Sequence, residues 1–391
     1  MKKILGLLLA LCLIAGCTSA FAAGIPVEQV KIGYITIGDE TEGYSANHLN
    51  GLKEAQAALG ISDDQVLCKY NVPETEDAYE AAIDLAEQGC NIIFATSFGH
   101  ESYVFQAAAE YPNIQFCHAT GNSAMNSELT NVHNYFYAVY ESRYVSGVVA
   151  GMKLAQMIED GTITAENAKI GYVGAFPFAE VISGFTSFFL GARSQCPSVT
   201  MEVRYTNSWG DMALEKETAE ALIADGCVLI SQHADTTGAP SACEAAGVPC
   251  VGYNISMLPV APNTALTSAA GDWGAYVTYA VKCLIDGEEI ARDWCKGYAE
   301  GAVYTTELND SIVAPGTAEK VAELEEAFKA GTVKVFDTST FTVNGETLTS
   351  YTTAYGLEGI EMVSDGEFHE SSVRSAPYFD ILIDGITAVV E

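Results

Sequence analysis

The stretch Lys31-Ile-Gly-Tyr-Ile-Thr-Ile-Gly38 has a close counterpart in Lys169-Ile-Gly-Tyr-Val-Gly-Ala-Phe176. Each copy is typical of a short buried strand that runs into a glycine-bearing loop. Two more pairs follow in the same order at a similar offset, around Cys90 and Cys227 and around Cys117 and Cys250. Short α/β patterns recur by chance, but three ordered pairs at nearly constant spacing indicate two lobes of the same build.

Helical patterns alternate with these strands, which indicates βαβ units and a mostly parallel sheet in each lobe. The predicted helices cover 45–59, 78–88, 103–110, 181–194, 214–224 and 240–246. After the second lobe, 267–271 is predicted as a linker and 276–284 as a helix that returns to the first lobe. A charged helix is expected over 319–330. Asn344-Gly345 between alternating strand formers then predicts a hairpin.

The N-terminus has the pattern of a bacterial lipoprotein signal. Lys2 and Lys3 precede an apolar run, and Leu13-Ile-Ala-Gly-Cys17 ends it. We expect 1–16 to be removed, Cys17 to carry lipid and 17–30 to form an anchored linker on the extracytoplasmic face of the cell membrane. An ordinary secretory signal, cleaved after Ala20-Phe-Ala22, and an uncleaved anchor are the alternatives.

The composition excludes some classes of partner. Lys and Arg number 18 against 51 Asp and Glu, a formal net charge of −33. Such a surface repels phosphate backbones, so nucleic-acid binding is not expected. The chain has 11 cysteines, among them Cys12 and Cys17 in the signal region. The others form no C-x-x-C pair, so we expect buried thiols and no disulfide framework or zinc site.

Ligands of such sheets bind beyond the carboxyl ends of the strands, where six loops of the two lobes would face each other. The aromatic residues of these loops, together with one that follows a later strand, are Tyr44, Phe98, Phe176, Phe178, Trp209 and Tyr253. Their polar residues are Asp39, Ser97, Gln232, His233, Asp235 and Asn254. Aromatic faces with a few carboxylates and amides suit a flat, neutral ligand with a polar edge.

At several of these loops the chain resembles the basic membrane protein (BMP, PnrA-like) family of ABC-transporter substrate-binding lipoproteins. The matching segments are 94–99, 118–121, 140–151, 175–184, 206–211, 232–235 and 272–274. The resemblance implies an α/β type I periplasmic-binding-protein fold, with two Rossmann-like lobes around a hinged cleft. It also implies purine nucleosides or nucleobases as ligands and ABC permease subunits as partners. Residues 159–167 resemble an insertion, and the segment from about 336 matches poorly; neither is expected to touch the cleft.

The resemblance also matches Tyr44, Phe176, Trp209, Asp235 and Asp272 to residues near the family's ligand. We expect Tyr44 and Phe176 to stack on a base, and Phe98 or Trp209 to line its edge. Asp235 and Asp272 would accept hydrogen bonds from the ligand. A helix-capping role is the alternative for Asp272 and for the segment that holds Trp209.

The expected first lobe comprises 31–142 and 271–287, and the second comprises 143–270 and 288–391 with a C-terminal hairpin elaboration. Hinge crossovers are expected near 140–144, 261–267 and 287–292, in a monomer. The sequence has no G-x-S-x-G, H-E-x-x-H, P-loop or G-x-G-x-x-G motif, so neither an enzyme nor a cofactor or metal is expected. A sensor of the same fold, for a sugar or another small polar ligand, remains the alternative function.

Overall fold

A computed structural model describes residues 24–354 and 357–389. The signal region and Cys17 therefore lie outside the described residues. The strands are β1 Ile32–Ile35, β2 Val66–Lys69, β3 Ile92–Ala95, β4 Gln115–Ala119, β5 Val132–Tyr135, β6 Lys169–Gly174, β7 Thr200–Tyr205, β8 Leu229–His233, β9 Cys250–Tyr253, β10 Ala265–Gly271, β11 Asp293–Trp294, β12 Val303–Thr305, β13 Val363–Ser364, β14 Glu367–Phe368 and β15 Ile386–Val389. The helices are α1 Gly43–Leu59, α2 Glu76–Glu87, α3 Glu101–Glu110, α4 Val139–Glu159, α5 Ala179–Gln195, α6 Met212–Ala224, α7 Gly238–Ala246, α8 Trp273–Asp286 and α9 Thr317–Lys329.

The two lobes share one strand order, as the repeat predicts. The first sheet runs β11-β5-β4-β3-β1-β2, and the second runs β12-β10-β9-β8-β6-β7-β15. The five core strands of each sheet pair in parallel, which is the doubly wound order with strand 1 between strands 2 and 3. β1, β3, β8 and β9 are buried along their whole length because helices cover both faces of each sheet.

The chain changes lobe between β5 and α4, between β10 and α8, and between β11 and β12. The observed boundaries differ from the expected ones in two places. β11 pairs with β5 in the first sheet, so part of 288–391 belongs to the first lobe. α4 begins at Val139 and packs on α5 in the second lobe, a few residues before the expected boundary. A β-carbon at Gly147 would overlap the Phe188 carbonyl oxygen, so this helix pair depends on small residues.

The linker predicted over 267–271 is wrong, because these residues belong to the fully buried strand β10. Its sequence, Ala-Leu-Thr-Ser-Ala-Ala-Gly, consists mostly of small side chains, and Thr267 is its one β-branched residue. The returning helix is present as α8, and its N-terminus is two residues beyond β10. Within residues 24–354 and 357–389, no helix is long and apolar enough to cross a membrane.

The N-terminal segment is fixed to the first lobe. The Ile25 N–H donates to the Leu284 carbonyl oxygen at the end of α8 (3.2 Å). The side-chain amide of Gln65 donates to the carbonyl oxygens of Val27 and Val30, each at 2.7 Å. These bonds hold the start of the described chain against the lobe that contains β1.

The C-terminal segment, residues 336–391, contacts both lobes. β15 pairs in parallel with β7 at the edge of the second sheet. Ser375 donates from its N–H and its hydroxyl to the Asp293 carboxylate on β11, in the first sheet. The Asn344-Gly345 turn is present with positive φ at both residues, and a single bridge joins Val343 and Glu346 beside it, where the pattern predicts longer strands.

Candidate functional site

A narrow cavity, with about 20 Å³ of space for water-sized molecules, lies between the lobes at the carboxyl ends of the core strands. Its lining residues are Ile37, Tyr44, Ser97, Phe98, Thr120, Glu180, Trp209, His233, Asp235 and Tyr253. This space is well below the roughly 300 to 1,000 Å³ of small-molecule sites, so the lobes must open or the lining side chains must move before a ligand fits.

The lobes touch each other around this cavity. The Gly43 N–H on the first lobe donates to the Asp235 carbonyl oxygen on the second lobe (3.1 Å). Nearby, the rings of Phe98 and Phe178 face each other across the cleft with centroids 5.5 Å apart. These contacts define a closed cleft, in which a ligand would be shielded from water.

The first-lobe wall is built from aromatic rings. α1 begins beside the cleft because the Glu42 carboxylate caps its first turn, accepting from the N–H groups of Tyr44 (2.6 Å) and Ser45 (2.9 Å). The buried Tyr44 hydroxyl donates to the Thr96 carbonyl oxygen (2.6 Å). One turn later, His48 stacks on Trp273 with centroids 3.9 Å apart. Burial holds the pKa of His48 well below its usual range, so this wall carries no charge.

The second-lobe wall carries charged groups. Glu180, in the first turn of α5, lines the cavity, and burial raises the pKa of its carboxyl to about 7, with Arg143 opposing the shift. His233 Nε2 lies 3.4 Å from a Glu180 carboxylate oxygen without forming a hydrogen bond. Burial, and then Arg143, hold the pKa of His233 well below its usual range. The Arg143 guanidinium lies 3.7 Å from the centre of the Tyr253 ring and donates to the Gln232 carbonyl oxygen (2.7 Å).

Several polar atoms of this wall are buried without a protein partner. Across the described part of the chain, no hydrogen bond reaches Arg143 Nε and Nη2 or either ring nitrogen of His233. On the opposite side of the cavity, the buried Thr120 hydroxyl is also without one among those residues. Of these residues, His233 and Thr120 line the cavity, so a ligand bound there would be within reach of their polar atoms.

Asp235 lies where carboxyl groups of both lobes converge. One carboxylate oxygen accepts from the Asn254 side-chain amide (2.9 Å). Burial raises the pKa of Asp235 well above its usual range, and the nearby carboxyls of Glu42, Glu215 and Glu180 add to the shift. Glu215 is fully buried, accepts from the Thr236 N–H and hydroxyl, and has a pKa raised to about 7 by burial. The region therefore favours a ligand with hydrogen-bond donors over an anion.

The structure brings five of the ten predicted ligand residues to the cavity. These are Tyr44, Ser97, Phe98, Trp209 and Asp235. Phe176 and Asp39 line a neighbouring groove at the mouth of the cleft, where Phe176 stacks on Phe178 (5.1 Å). Asp39 is bonded there to Thr41 and Asn71. Phe176 was expected to stack on a base, but its ring stacks on Phe178 and lines the groove, not the cavity.

Three further predicted residues lie outside the cavity lining. The Gln232 side-chain amide donates to the carbonyl oxygens of Ala234 (2.7 Å) and Thr236 (2.9 Å) and so shapes the loop after β8. Asn254 stands behind Asp235 and orients it. Asp272 caps α8 by accepting from the Gly274 N–H (2.7 Å), which is the capping alternative stated for it above. The Asp272 carboxylate is therefore engaged at the N-terminus of α8 and does not line the cavity.

Glu180 is the principal residue that the sequence reasoning did not select. It lies in the family-matching segment 175–184, yet a glutamate in the first turn of a helix is a common partner of the helix dipole. Tyr253 and His233 are among the loop residues named from the sequence but not among the predicted ligand residues, and Thr120 lies in the family-matching segment 118–121. In the described residues no cluster of three or more His, Cys, Asp or Glu side chains is arranged to hold a metal ion.

Two similar lobes closed over a small aromatic and polar cavity define a binding protein that encloses one small molecule. The chain belongs to the PnrA-like family of ABC transporter substrate-binding proteins, whose model matches residues 36–335. This confirms the resemblance and the expected fold. The family is not enzymatic, which agrees with the absence of catalytic motifs in the sequence.

Two curated relatives cover most of the chain. A purine-binding protein of Brucella abortus is 33% identical over 311 residues, which are 79% of this chain and 83% of the relative. A Haloferax volcanii protein, provisionally named as an ABC transporter glucose-binding protein, is 30% identical over 85% of this chain and 81% of its own length. A solute-binding protein structure from Aeropyrum pernix superimposes with a TM-score of 0.65 at 18% identity, covering 78% of this chain and 93% of that chain. It supports the fold alone.

Proposed function

We propose that this protein captures a purine nucleoside or nucleobase outside the cytoplasmic membrane and delivers it to an ABC importer. The observation that carries the proposal is the asymmetric cavity, with uncharged aromatic rings on one lobe and buried, partly unpartnered charged groups on the other. A purine has two matching features, a flat ring face and an edge of hydrogen-bonding nitrogens. Stacking of such a face on an aromatic side chain contributes about 0.5–1.5 kcal/mol beyond the buried area.

Tyr44, Phe98 and Trp209 supply aromatic surface for the ring. Asp235 and Glu180 accept hydrogen bonds from donors on its edge, and His233 Nε2 lies 3.4 Å from the Glu180 carboxylate. The name of the Brucella relative supports a purine, whereas the name of the Haloferax relative favours a sugar. Sugars also stack on aromatic rings, but a purine makes fuller use of a wall that is aromatic and uncharged.

The test is isothermal titration of the purified protein with adenine, hypoxanthine, guanine and their nucleosides, beside glucose, arabinose and amino acids. We expect at least one purine to bind and the sugars and amino acids to show no comparable heat. A protein that binds glucose or an amino acid and none of the purines would contradict the proposal. Loss of purine uptake on deletion of the gene would assign transport, and retained uptake would favour a sensor.

We propose that the mature protein is held at the extracytoplasmic face by lipid on Cys17. The Leu13-Ile-Ala-Gly-Cys17 pattern motivates this assignment. The Cys17→Ser variant should leave the membrane fraction or accumulate as an uncleaved precursor, and a Cys68→Ser variant serves as a control that keeps the pattern intact. Normal size and normal membrane fractionation of Cys17→Ser would contradict lipidation.

A further inference from the structure

A second space, here called the outer chamber, adjoins the cavity at the mouth of the cleft. It shares Phe98, Thr120 and Glu180 with the cavity, so the two spaces meet at these residues. The lobes contribute Asn122, Ser123, Asn126, Pro177, Phe178 and Ala179 to its lining, and the C-terminal segment contributes Arg374, Ala376, Pro377 and Asp380. The segment that was expected to stay away from the cleft therefore forms one wall of it.

This wall is held firmly in place. The buried Glu370 carboxylate accepts from the N–H groups of Tyr378 (2.7 Å) and Phe379 (3.0 Å). The Tyr351 hydroxyl donates to the Asp380 carboxylate (2.9 Å). The Ser375 bonds to Asp293 attach the same stretch to the first lobe. Residues 374–380 are thus fixed by hydrogen bonds on several sides. They lie beyond residues 36–335, which the family model covers.

The junction between the two spaces carries an available polar group. Thr120 is in the left-handed region (φ 64°), and its buried hydroxyl has no protein partner among residues 24–354 and 357–389. A threonine held in this conformation is uncommon. A ligand that passed from the cavity into the outer chamber would run beside this hydroxyl, which both donates and accepts hydrogen bonds.

We propose that the outer chamber is a second ligand subsite, in which the C-terminal segment contacts a neutral, hydroxyl-bearing substituent of a purine held in the cavity. The inference rests on the proposed function and assigns a nucleoside, with its sugar toward the outer chamber, in preference to a free base. Asn122, Ser123 and Asp380 offer both donors and acceptors for sugar hydroxyls. A phosphate would face the carboxyls of Asp380 and Glu180, and the Arg374 guanidinium already stacks on Tyr378 and bonds to the Ala376 carbonyl oxygen.

The test compares base with nucleoside on variants that fill the chamber from either side. Asn122→Trp fills it from the first lobe and Asp380→Trp from the C-terminal segment, while Glu358→Trp places the same ring on an exposed part of that segment. Adenine, adenosine, guanine and guanosine are titrated into each full-length protein. We expect a loss of about tenfold or more in nucleoside affinity for the two chamber variants, equivalent to about 1.4 kcal/mol, with base affinity unchanged.

Retained base binding also reports that each variant is folded. If a tryptophan variant fails to fold, Asn122→Ala and Asp380→Ala replace it, with an expected nucleoside-specific loss of about two- to tenfold from the lost hydrogen bonds. Equal losses for base and nucleoside, or none for either, would overturn the subsite. So would a wild-type protein that binds bases and rejects nucleosides. A wild type that binds no purine at all would overturn the proposed function itself, and the assignment of the substituent with it.

Discussion

The two walls of the cavity come from lobes of one fold, yet they hold their side chains in place differently. On the first lobe, Tyr44, His48 and Trp273 pack ring against ring and carry no charge. On the second lobe, Arg143, Glu180 and Asp235 are charged or titratable, and no ion pair within 4.0 Å joins them to one another in the described residues. The first wall is thus part of a hydrophobic core, and the second presents polar and titratable groups to the cavity.

The difference between the walls assigns folding stability mainly to the first wall and ligand affinity mainly to the second. Packing of the first wall contributes to folding whether or not a ligand is present. The charged groups of the second wall are costly to bury alone, so their value lies in the ligand that they select. Substitutions in the first wall should therefore change stability first, and substitutions in the second should change affinity first.

The largest effect is expected at Trp273, which is 1% exposed. Trp273→Ala removes the ring that stacks on His48 and should lower the free energy of unfolding by about 3–5 kcal/mol, measured by urea denaturation. Trp209→Ala, at a half-buried tryptophan of the second lobe, is the matched control and should lose distinctly less. Equal losses for the two variants would remove the distinction between a packed wall and a ligand-facing one.

The next effect concerns pH. The pKa of Glu215 is raised to about 7 in the folded protein by burial, above the value of an unfolded glutamate. Its contribution to stability is therefore present below the unfolded pKa and is lost as the pH rises through about 7. Glu215→Gln should remove this component, which the linkage relation limits to about 3 kcal/mol for such a shift.

The measurement is the free energy of unfolding of both proteins between about pH 5 and pH 8. The difference between wild type and Glu215→Gln should change steadily over that range, with the variant gaining relative stability at the higher pH. A difference that stays constant would show that the carboxyl does not titrate there. Glu217→Gln, on the same helix and exposed, is the control.

Asp235→Ala tests the second wall directly. The variant should weaken purine binding by about 1.5–3 kcal/mol, the usual loss for a hydrogen bond to a charged group, while the protein stays folded. Asp39→Ala, at a half-buried carboxylate in the neighbouring groove, should bind like the wild type in the same titration. If Asp39→Ala loses more affinity than Asp235→Ala, the ligand occupies the groove and not the cavity.

The smallest effect is expected for Tyr44→Phe, which keeps the ring and removes the hydroxyl that donates to Thr96. Thermal or urea unfolding should show a loss of about 0.5–1.5 kcal/mol, the typical net value of one hydrogen bond. Purine affinity should hold, because the ring is what faces the ligand. A larger loss of affinity than of stability would place the hydroxyl on the ligand.

The repeat made the fold predictable from sequence because central strands such as β1, β3 and β9 are buried on both faces and consist mostly of apolar residues. The strand β10 broke that rule with small residues, and β11 is too short to leave a pattern. The linker wrongly predicted over 267–271 left the architecture unchanged, and β11 moved one lobe boundary. The strand order follows once the two halves are recognised as copies.

The site was predictable only in part, because a sequence gives the position of a loop and not the direction of its side chains. Asp272 and Asp235 both follow a buried strand, yet one caps a helix and the other faces the cavity. From the sequence alone, Glu180 is an ordinary glutamate in the first turn of a helix. Only the fold shows that it lines the cavity opposite the first lobe. The C-terminal wall left almost no signal because it is built from turns and side-chain bonds with few regular elements.

If Cys17 carries lipid, the hydrogen bond between Ile25 and α8 would determine which lobe is held at the membrane. With a lipid on Cys17, the seven residues from there to Gly24 reach at most about 25 Å when fully extended. Because the Ile25 N–H donates a hydrogen bond to the Leu284 carbonyl oxygen, this short linker ends on the first lobe. The first lobe would then stay close to the membrane anchor, and the second lobe would move relative to it when the cleft opens and closes. A permease in the same membrane would then contact a first lobe whose position is constant. The position of the second lobe would tell the permease whether a ligand is bound.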